Sequence, residues 1–203
     1  MIEIIADTKD LEDLLRTLKV LPKGLEKATS RAINKTLTST RAYMVKAVRQ
    51  DYAVKAKDVR SELVIRRATW ANQEGSIKGS GSPGIPLIGF ARMRRVPSTK
   101  RLKSGGYAPK VGIPVLVRKD RGKGPARGVF LARMKSGHIG AFKRTGGLSK
   151  SGGQAIREAY GPSPVKMLSS DRYDEQIDDF ADEALQKNLR HEADFVLKQM
   201  GLR

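Results

Sequence analysis

At 203 residues the chain can form one domain, or one domain with an arm, around a real core, and an aromatic content of 5% makes that core small and aliphatic. The lack of cysteine excludes a disulfide framework, a thiolate zinc site and a cysteine nucleophile, while MIEIIADTKD is too short and acidic for a secretory signal and no run approaches the roughly 20 apolar residues of a membrane span. A formal charge of +19 implies attraction to polyanions or to an acidic protein surface.

That charge is unevenly spread. Residues 1–21 carry a net −2, 22–69 a net +8, 70–160 a net +16 (19 cations against three acids) and 161–203 a net −3 (six cations against nine acids). A basic middle between mildly acidic ends favours a surface with one charged side.

In chain order, Met1 to Ile5 is a β-favouring run suited to a first or edge strand. Asp7, Thr8 or Asp10 can cap a helix carrying Leu11, Leu14, Leu15 and Leu18 on one stripe. Pro22 fits the first turn of a second helix, where its missing N–H costs least. From Lys23 to Arg49, Leu25, Ala28, Ala32, Ile33, Leu37, Met44 and Val48 recur with a helical period, which predicts a rod roughly 40 Å long at about 1.5 Å per residue. Lys23, Lys27, Arg31 and Lys35 repeat every four residues on another face. That face reads first as solvated and second as a contact for nucleic acid or an acidic partner.

After a break at Gln50 to Ala53, Lys55 to Leu63 reads as a short third helix, Leu63 to Thr69 as a strand and Gln73 to Lys78 as its partner. Trp70, the only tryptophan, is expected at the edge of the core with its ring buried and its N–H satisfied. Gly79 to Gly84, GSGSPG, matches the dinucleotide-binding fingerprint in letters only. The strand-like run IPLIGFA follows it instead of a helix, and no acid occurs from 92 to 110 to meet a ribose, so it reads as a loop.

Residues 92–127 hold twelve cations against Asp120 alone and read as a long hairpin arm with a basic tip, mobile by itself and ordered by a partner. Charge density singles out Arg92, Arg94, Arg95, Lys100, Arg101, Lys103, Arg118, Lys119, Arg121 and Lys123 as candidate contacts to a protein partner or DNA. Further on, Val129 to Met134 and His138 to Phe142 flank Lys135-Ser136-Gly137, which is hairpin chemistry. The spacer Gly146 to Gly153 has flexible-linker composition, and a third run, Ala155 to Tyr160, ends at the turn Gly161-Pro162-Ser163-Pro164. A C-terminal helix, 170–201, carries Ile177, Phe180, Ala184, Leu185, Leu189, Val196, Leu197 and Met200 on an apolar stripe, with acids crowding its first half as the helix dipole favours. Among these, Asp174, Asp178 and Asp182 are candidate subunit contacts for a neighbouring copy's basic arm.

No nucleophile with its base and no metal-ligand cluster is apparent. His138 reads as a turn or packing residue, and His191 lies on a charged helix face. Glu74, Asp120 and Glu158 are too few and too scattered to build the metal pair of a nuclease.

The wording FLARMKSGHIGAFKR followed by AIREAYGPSPVKML resembles the phage lambda-type minor tail protein Z family, the tail completion proteins of long-tailed phages and prophages. Met134, Ser136, Gly137, His138, Gly140, Phe142 and Arg144 match the first phrase of that family. Ile156, Arg157, Glu158, Tyr160, Gly161, Pro162, Ser163 and Met167 match the second, with the last proline shifted to Pro164. AINKTLTSTRAYMVKAVRQDYAVKAKDVRSEL resembles the family's opening helices more loosely.

The expected fold is therefore α+β: a mostly antiparallel sheet packed with a long helix in the N-terminal half and a long C-terminal helix, plus the 92–127 arm, in one domain spanning 1–203. The resemblance implies a non-enzymatic virion protein of the tail and neck that completes the tail and helps join it to the head. It implies other tail and neck proteins as partners, a homo-oligomeric ring, contact with the genome DNA end, no cofactor and no membrane, with assembly in the host cytoplasm. A nucleic-acid-binding module outside the virion is the alternative on charge, and a metal-dependent nuclease is third.

Overall fold

A computed structural model describes residues 2–4, 24–80, 82–91, 113–148, 152–169 and 171–199. The helix expected around Leu11 to Leu18, the start at Pro22 and the stretch 92–112 of the basic arm lie outside the described residues. The fold is α+β, and every strand pairing among the described residues is antiparallel. Contacts divide the chain into two compact units, Met1–Ala47 with Val59–Gly81 and Pro164–Arg203, and Val48–Asp58 with Ser82–Ser163.

The first unit is built on two long helices, α1 (Gly24–Asp51, up to Ala47 in this unit) and the C-terminal helix of the chain (Asp171–Gln199). Tyr43 stacks on Phe180 with ring centroids 4.4 Å apart, Thr36 Oγ1 accepts from Asn188 Nδ2 at 3.0 Å, and Ala28 packs with Ala193, Val196 and Leu197. Numbers rise along one helix as they fall along the other, so the pair is antiparallel. The predicted stripes are the buried faces of the two helices: Ala32, Ile33, Leu37, Ile177, Leu185 and Leu189 are all buried, and Ile33 and Leu37 lie close against Gly75. Alanines let the axes approach, and each fully buried aliphatic side chain contributes about 1.5–3 kcal/mol.

Three strands complete this unit, β1 (Ile2–Ile4), β2 (Leu63–Arg66) and β3 (Gly75–Gly79), in the order β1-β3-β2. The expected first edge strand and the expected pairing across residues 67–74 are both present. Asn34 fixes the connection to α1: its Nδ2 donates to Ala68 O at 3.0 Å, and its Oδ1 accepts from Ala68 N at 2.9 Å. A side-chain amide with one donor and one acceptor used on a single peptide residue sets the direction of a loop that has no ladder to do so.

Among the described residues, strand is the main regular structure of the second unit. Helix α2 (Ala56–Glu62) begins in it, a 3-10 turn (Leu87–Phe90) follows, and β4 (Ile113–Val115) pairs with β5 (Gly124–Ala126) as a short hairpin. The sheet β6-β7-β8 (Val129–Arg133, Ile139–Leu148, Gln154–Glu158) carries the predicted hairpin at Lys135-Ser136-Gly137, where Gly137 has φ +86°. A short helix, α3 (Pro164–Leu168), returns the chain to the first unit before the long C-terminal helix, α4.

Three expectations are corrected. IPLIGFA is not a strand: Leu87 and Phe90 are buried three residues apart, which a 3-10 turn places on one side and a strand does not. Gly146 to Leu148 is not free linker, because β7 continues through Gly146-Gly147 to Leu148 and pairs there with Gln154, while 149–151 lie outside the described residues. Trp70 is not buried at the core edge but 60% exposed, with Lys27 Nζ 5.7 Å from its ring centroid.

Candidate interaction surfaces

The two phrases at the centre of the sequence meet at the base of the β7–β8 hairpin. Phe142 pairs with Glu158 in register, which brings the Glu158 carboxylate to His138 Nε2 at 3.1 Å and to the Tyr160 hydroxyl, which donates at 3.3 Å. The Glu158 charge beside it pushes the Tyr160 phenol above its ordinary range. His138 also sets its ring edge-on to Phe142, with centroids 6.3 Å apart.

Glycine is required here by contact. A Cβ at 140 would lie 2.9 Å from both Glu158 Oε1 and the Phe142 ring, and one at 161 would lie 2.6 Å from the Phe90 ring. Gly84 has φ +124° and sits against the Gly161 carbonyl, while Gly161 N donates to Ile85 O at 2.8 Å. Leu87 N donates to Ala159 O at 2.8 Å and Ala159 N to Ala141 O at 2.7 Å, so the turn, β8 and β7 are tied rung by rung. His138, Glu158, Tyr160 and the two glycines thus position the sheet. His138 is a turn and packing residue with a carboxylate partner.

The described half of the basic arm is the β4–β5 hairpin and its tip. Arg118 holds Asp120 through two hydrogen bonds of 2.9 Å and lies over the Tyr52 ring at 5.6 Å. The hydrogen bond from Arg118 draws the Asp120 carboxyl below its ordinary range, and the same bond raises Arg118. Lys119 N donates to Asp51 O at 2.8 Å and its ammonium donates to Arg49 O. Those carbonyls are orphans of the last turn of α1, so Lys119 serves as a C-terminal cap. Arg121 and Lys123 are exposed. Of the ten basic candidates, then, Arg118 and Lys119 are engaged within the unit, Arg121 and Lys123 face solvent, and the six from Arg92 to Lys103 lie outside the described residues.

Lys23 lies outside the described residues, and the other three cations of the predicted stripe on α1 are not simply solvated. Lys27 lies over Trp70, Arg31 lies over Phe195 at 5.8 Å, and Lys35 pairs with the buried carboxylate of Glu192. Sequence reasoning missed these partners because they come from residues more than forty positions away.

Helix α4 shows the opposite charge. Asp174, Glu175, Asp178, Asp179, Asp182 and Glu183 are all exposed and make no ion pair among the described residues. Spacings of four place Asp174, Asp178 and Asp182 in one row and Glu175, Asp179 and Glu183 in the next. The three predicted subunit-contact residues therefore stand together on a free face. Among the described residues no group of three or more histidine or carboxylate side chains is placed to hold a metal ion, and no helix is long and apolar enough to cross a membrane.

A sequence profile of the prophage minor tail protein Z (GPZ) family matches residues 8–202. The chain belongs to that family. Neither a characterised protein nor a solved structure gives a significant match. Membership in the minor tail protein Z family makes this a structural, virion-associated protein of the phage tail. The two phrases singled out in the sequence coincide with the contact knot of Gly140, His138, Glu158, Tyr160 and Gly161, residues that hold the sheet together.

Proposed function

We propose that this minor tail protein Z family member completes the phage tail and helps join it to the DNA-filled head, as a subunit of a homo-oligomeric ring in the neck, assembled in the host cytoplasm. Tail tubes have rotational symmetry, and a fitting at their end must match it. The observation that carries the reading beyond the family is the display of opposite charges on separate elements, exposed carboxylates on α4 and exposed cations at the β4–β5 tip. A subunit that offers one sign on one element and the other sign elsewhere can bind its own kind head to tail.

In this reading the whole chain, 1–203, acts as one tail-completion body, and Asp174, Asp178 and Asp182 face a neighbouring subunit. Arg92, Arg94, Arg95, Lys100, Arg101 and Lys103, with Arg121 and Lys123, meet that neighbour, other tail and neck proteins or the genome DNA end. The role needs no catalysis and no cofactor. Electron microscopy of lysates from a phage lacking the gene tests it: filled heads beside separate tails are expected, and normal infectious particles would overturn it. In the same system, serine at the six positions from Arg92 to Lys103 is expected to leave the body folded and to impair joining.

A non-virion nucleic-acid-binding module shares the +19 charge. Affinity for DNA does not separate the two readings, because phosphate attraction is general. Presence of the protein at the neck of the particle does.

A further inference from the structure

Strand β6 stops pairing with β7 at Val129 and Lys143. Beyond that rung, among the described residues, β7 has only β8 beside it, through Arg144 with Ile156 and, after a register shift, Leu148 with Gln154. Every β7 residue from Lys143 to Leu148 is exposed, as are Gln154, Ile156 and Arg157 on β8. Neighbouring side chains in a strand point to opposite faces, so consecutive exposure means that both faces of this ribbon are open. Leu148 is 81% and Ile156 40% exposed. A two-stranded ribbon in water is only marginally stable without a third layer or strand, and an open strand edge is a template for association.

We infer that the ribbon of Lys143–Leu148 and Gln154–Arg157 is a docking arm that lies on the acidic face of α4 in a second copy of this chain. The inference rests on the ring reading above and names the two surfaces that would meet. From 143 to 157 the sequence has four cations, Lys143, Arg144, Lys150 and Arg157, and no acid. The α4 face presents six exposed carboxylates in two rows. Lengths are comparable: β7 bulges between Arg144 and Leu148, but the straighter run from Gln154 to Arg157 covers about 10 Å at about 3.3 Å per residue, and Asp174 to Asp182 about 12 Å at about 1.5 Å per residue. Arg144, held 5.1 Å over the Phe130 ring, marks the rigid root of the arm. The two surfaces are different, so the contact is heterologous and repeats around a ring when its rotation closes. The exposed Leu148 and Ile156 favour a protein surface over DNA, because a phosphate backbone offers them nothing.

The test is a charge swap in the full-length chain, read by light scattering behind gel filtration over a range of concentrations, with circular dichroism to confirm folding. Lys143→Glu with Arg157→Glu, and separately Asp174→Lys with Asp178→Lys and Asp182→Lys, are each expected to weaken self-association at least tenfold. Combining all five substitutions in one chain is expected to restore it. An oligomer that ignores the ribbon swap, or a combined variant that stays dissociated, would overturn the docking arm and leave the ring reading standing. A wild-type chain that is monomeric at every concentration would also overturn the arm; unjoined heads and tails in the deletion lysate would then show that tail completion survives it. If the ribbon swap spares the oligomer and lowers binding to a labelled DNA duplex, the ribbon serves DNA and the inference fails.

Discussion

The two units are held together in opposite ways. In the first, α1 and α4 bury large aliphatic side chains, and the structure depends mainly on atoms that are present, with the close approach of Gly75 to Leu37 as the counterpart. In the second, the 3-10 turn, β7 and β8 meet through backbone hydrogen bonds and glycines, and the structure depends on atoms that are absent. Periodic helices can be packed by hydrophobic transfer alone, whereas a short turn against a sheet has little apolar area to bury and gains its fit from close approach.

Adding one methyl group to the second unit should therefore cost more than removing three carbons from the first. Gly84→Ala places a Cβ at φ +124° against the Gly161 carbonyl. The backbone conformation costs about 1–2 kcal/mol and the overlap about 1–3 kcal/mol, for an expected loss of about 4 kcal/mol in urea unfolding. The control is Gly122→Ala, at φ +68° with nothing within 4 Å of the added Cβ, which should cost about 1 kcal/mol. Equal losses at the two positions would show that conformation and not contact makes glycine necessary at 84.

Leu37→Ala takes the next place. Leu37 is fully buried on α1, and truncation there should cost about 3 kcal/mol through lost transfer energy and the cavity left behind. A loss below about 1 kcal/mol would mean that the residues around Leu37 collapse into the gap, and the core of the first unit would then be less closely packed than its burial requires.

These differences explain what could be read in advance. The long helices, the strand pair around residues 67–74 and the hairpin at 135–137 were legible because burial repeats at 3.6 or alternates at 2, and because turn residues sit between the runs. Leu87–Phe90 was misread as a strand because four apolar residues carry no period, and β7 was cut short because Gly146-Gly147 has linker composition whether or not it is paired. Trp70 was placed inside by its type, although a cation from α1 covers it outside. Charge density found Lys119 but could not show that two carbonyls at the end of α1 occupy it, since that partnership spans about seventy positions. The acidic face of α4 was legible in full, because a single helix fixes the geometry of its own surface.

Lys119 sharpens the contrast at smaller scale. Lys119→Ala removes the ammonium from Arg49 O and leaves the backbone bond to Asp51 O in place, so the expected loss is about 1 kcal/mol. Raising the salt concentration should not remove the difference between variant and wild type, as it would for a pair held by charge alone. If the substitution changes assembly and leaves unfolding untouched, Lys119 belongs with the partner contacts instead.

The smallest expected effect concerns Tyr160, where stability barely enters. Its phenol is pushed above the ordinary tyrosine value of about 10 because ionising it would set a second negative charge beside Glu158 and break the hydrogen bond between them. A raised folded-state value means that the native chain keeps a proton the unfolded chain has lost, so this contribution to stability is whole below about pH 10 and fades as the pH climbs through the shifted value. Tyr160 is 41% exposed, so solvent keeps the contribution slight, and absorbance near 295 nm is a better measure than unfolding. Subtracting the titration of Tyr160→Phe isolates one late-ionising phenol, and Glu158→Gln should bring it back toward the ordinary value by removing the charge while keeping an acceptor. If Glu158→Gln leaves that titration where it was, the carboxylate belongs to His138 alone, and the hydrogen bond that joins the two phrases at Tyr160 plays no part in holding the hairpin base.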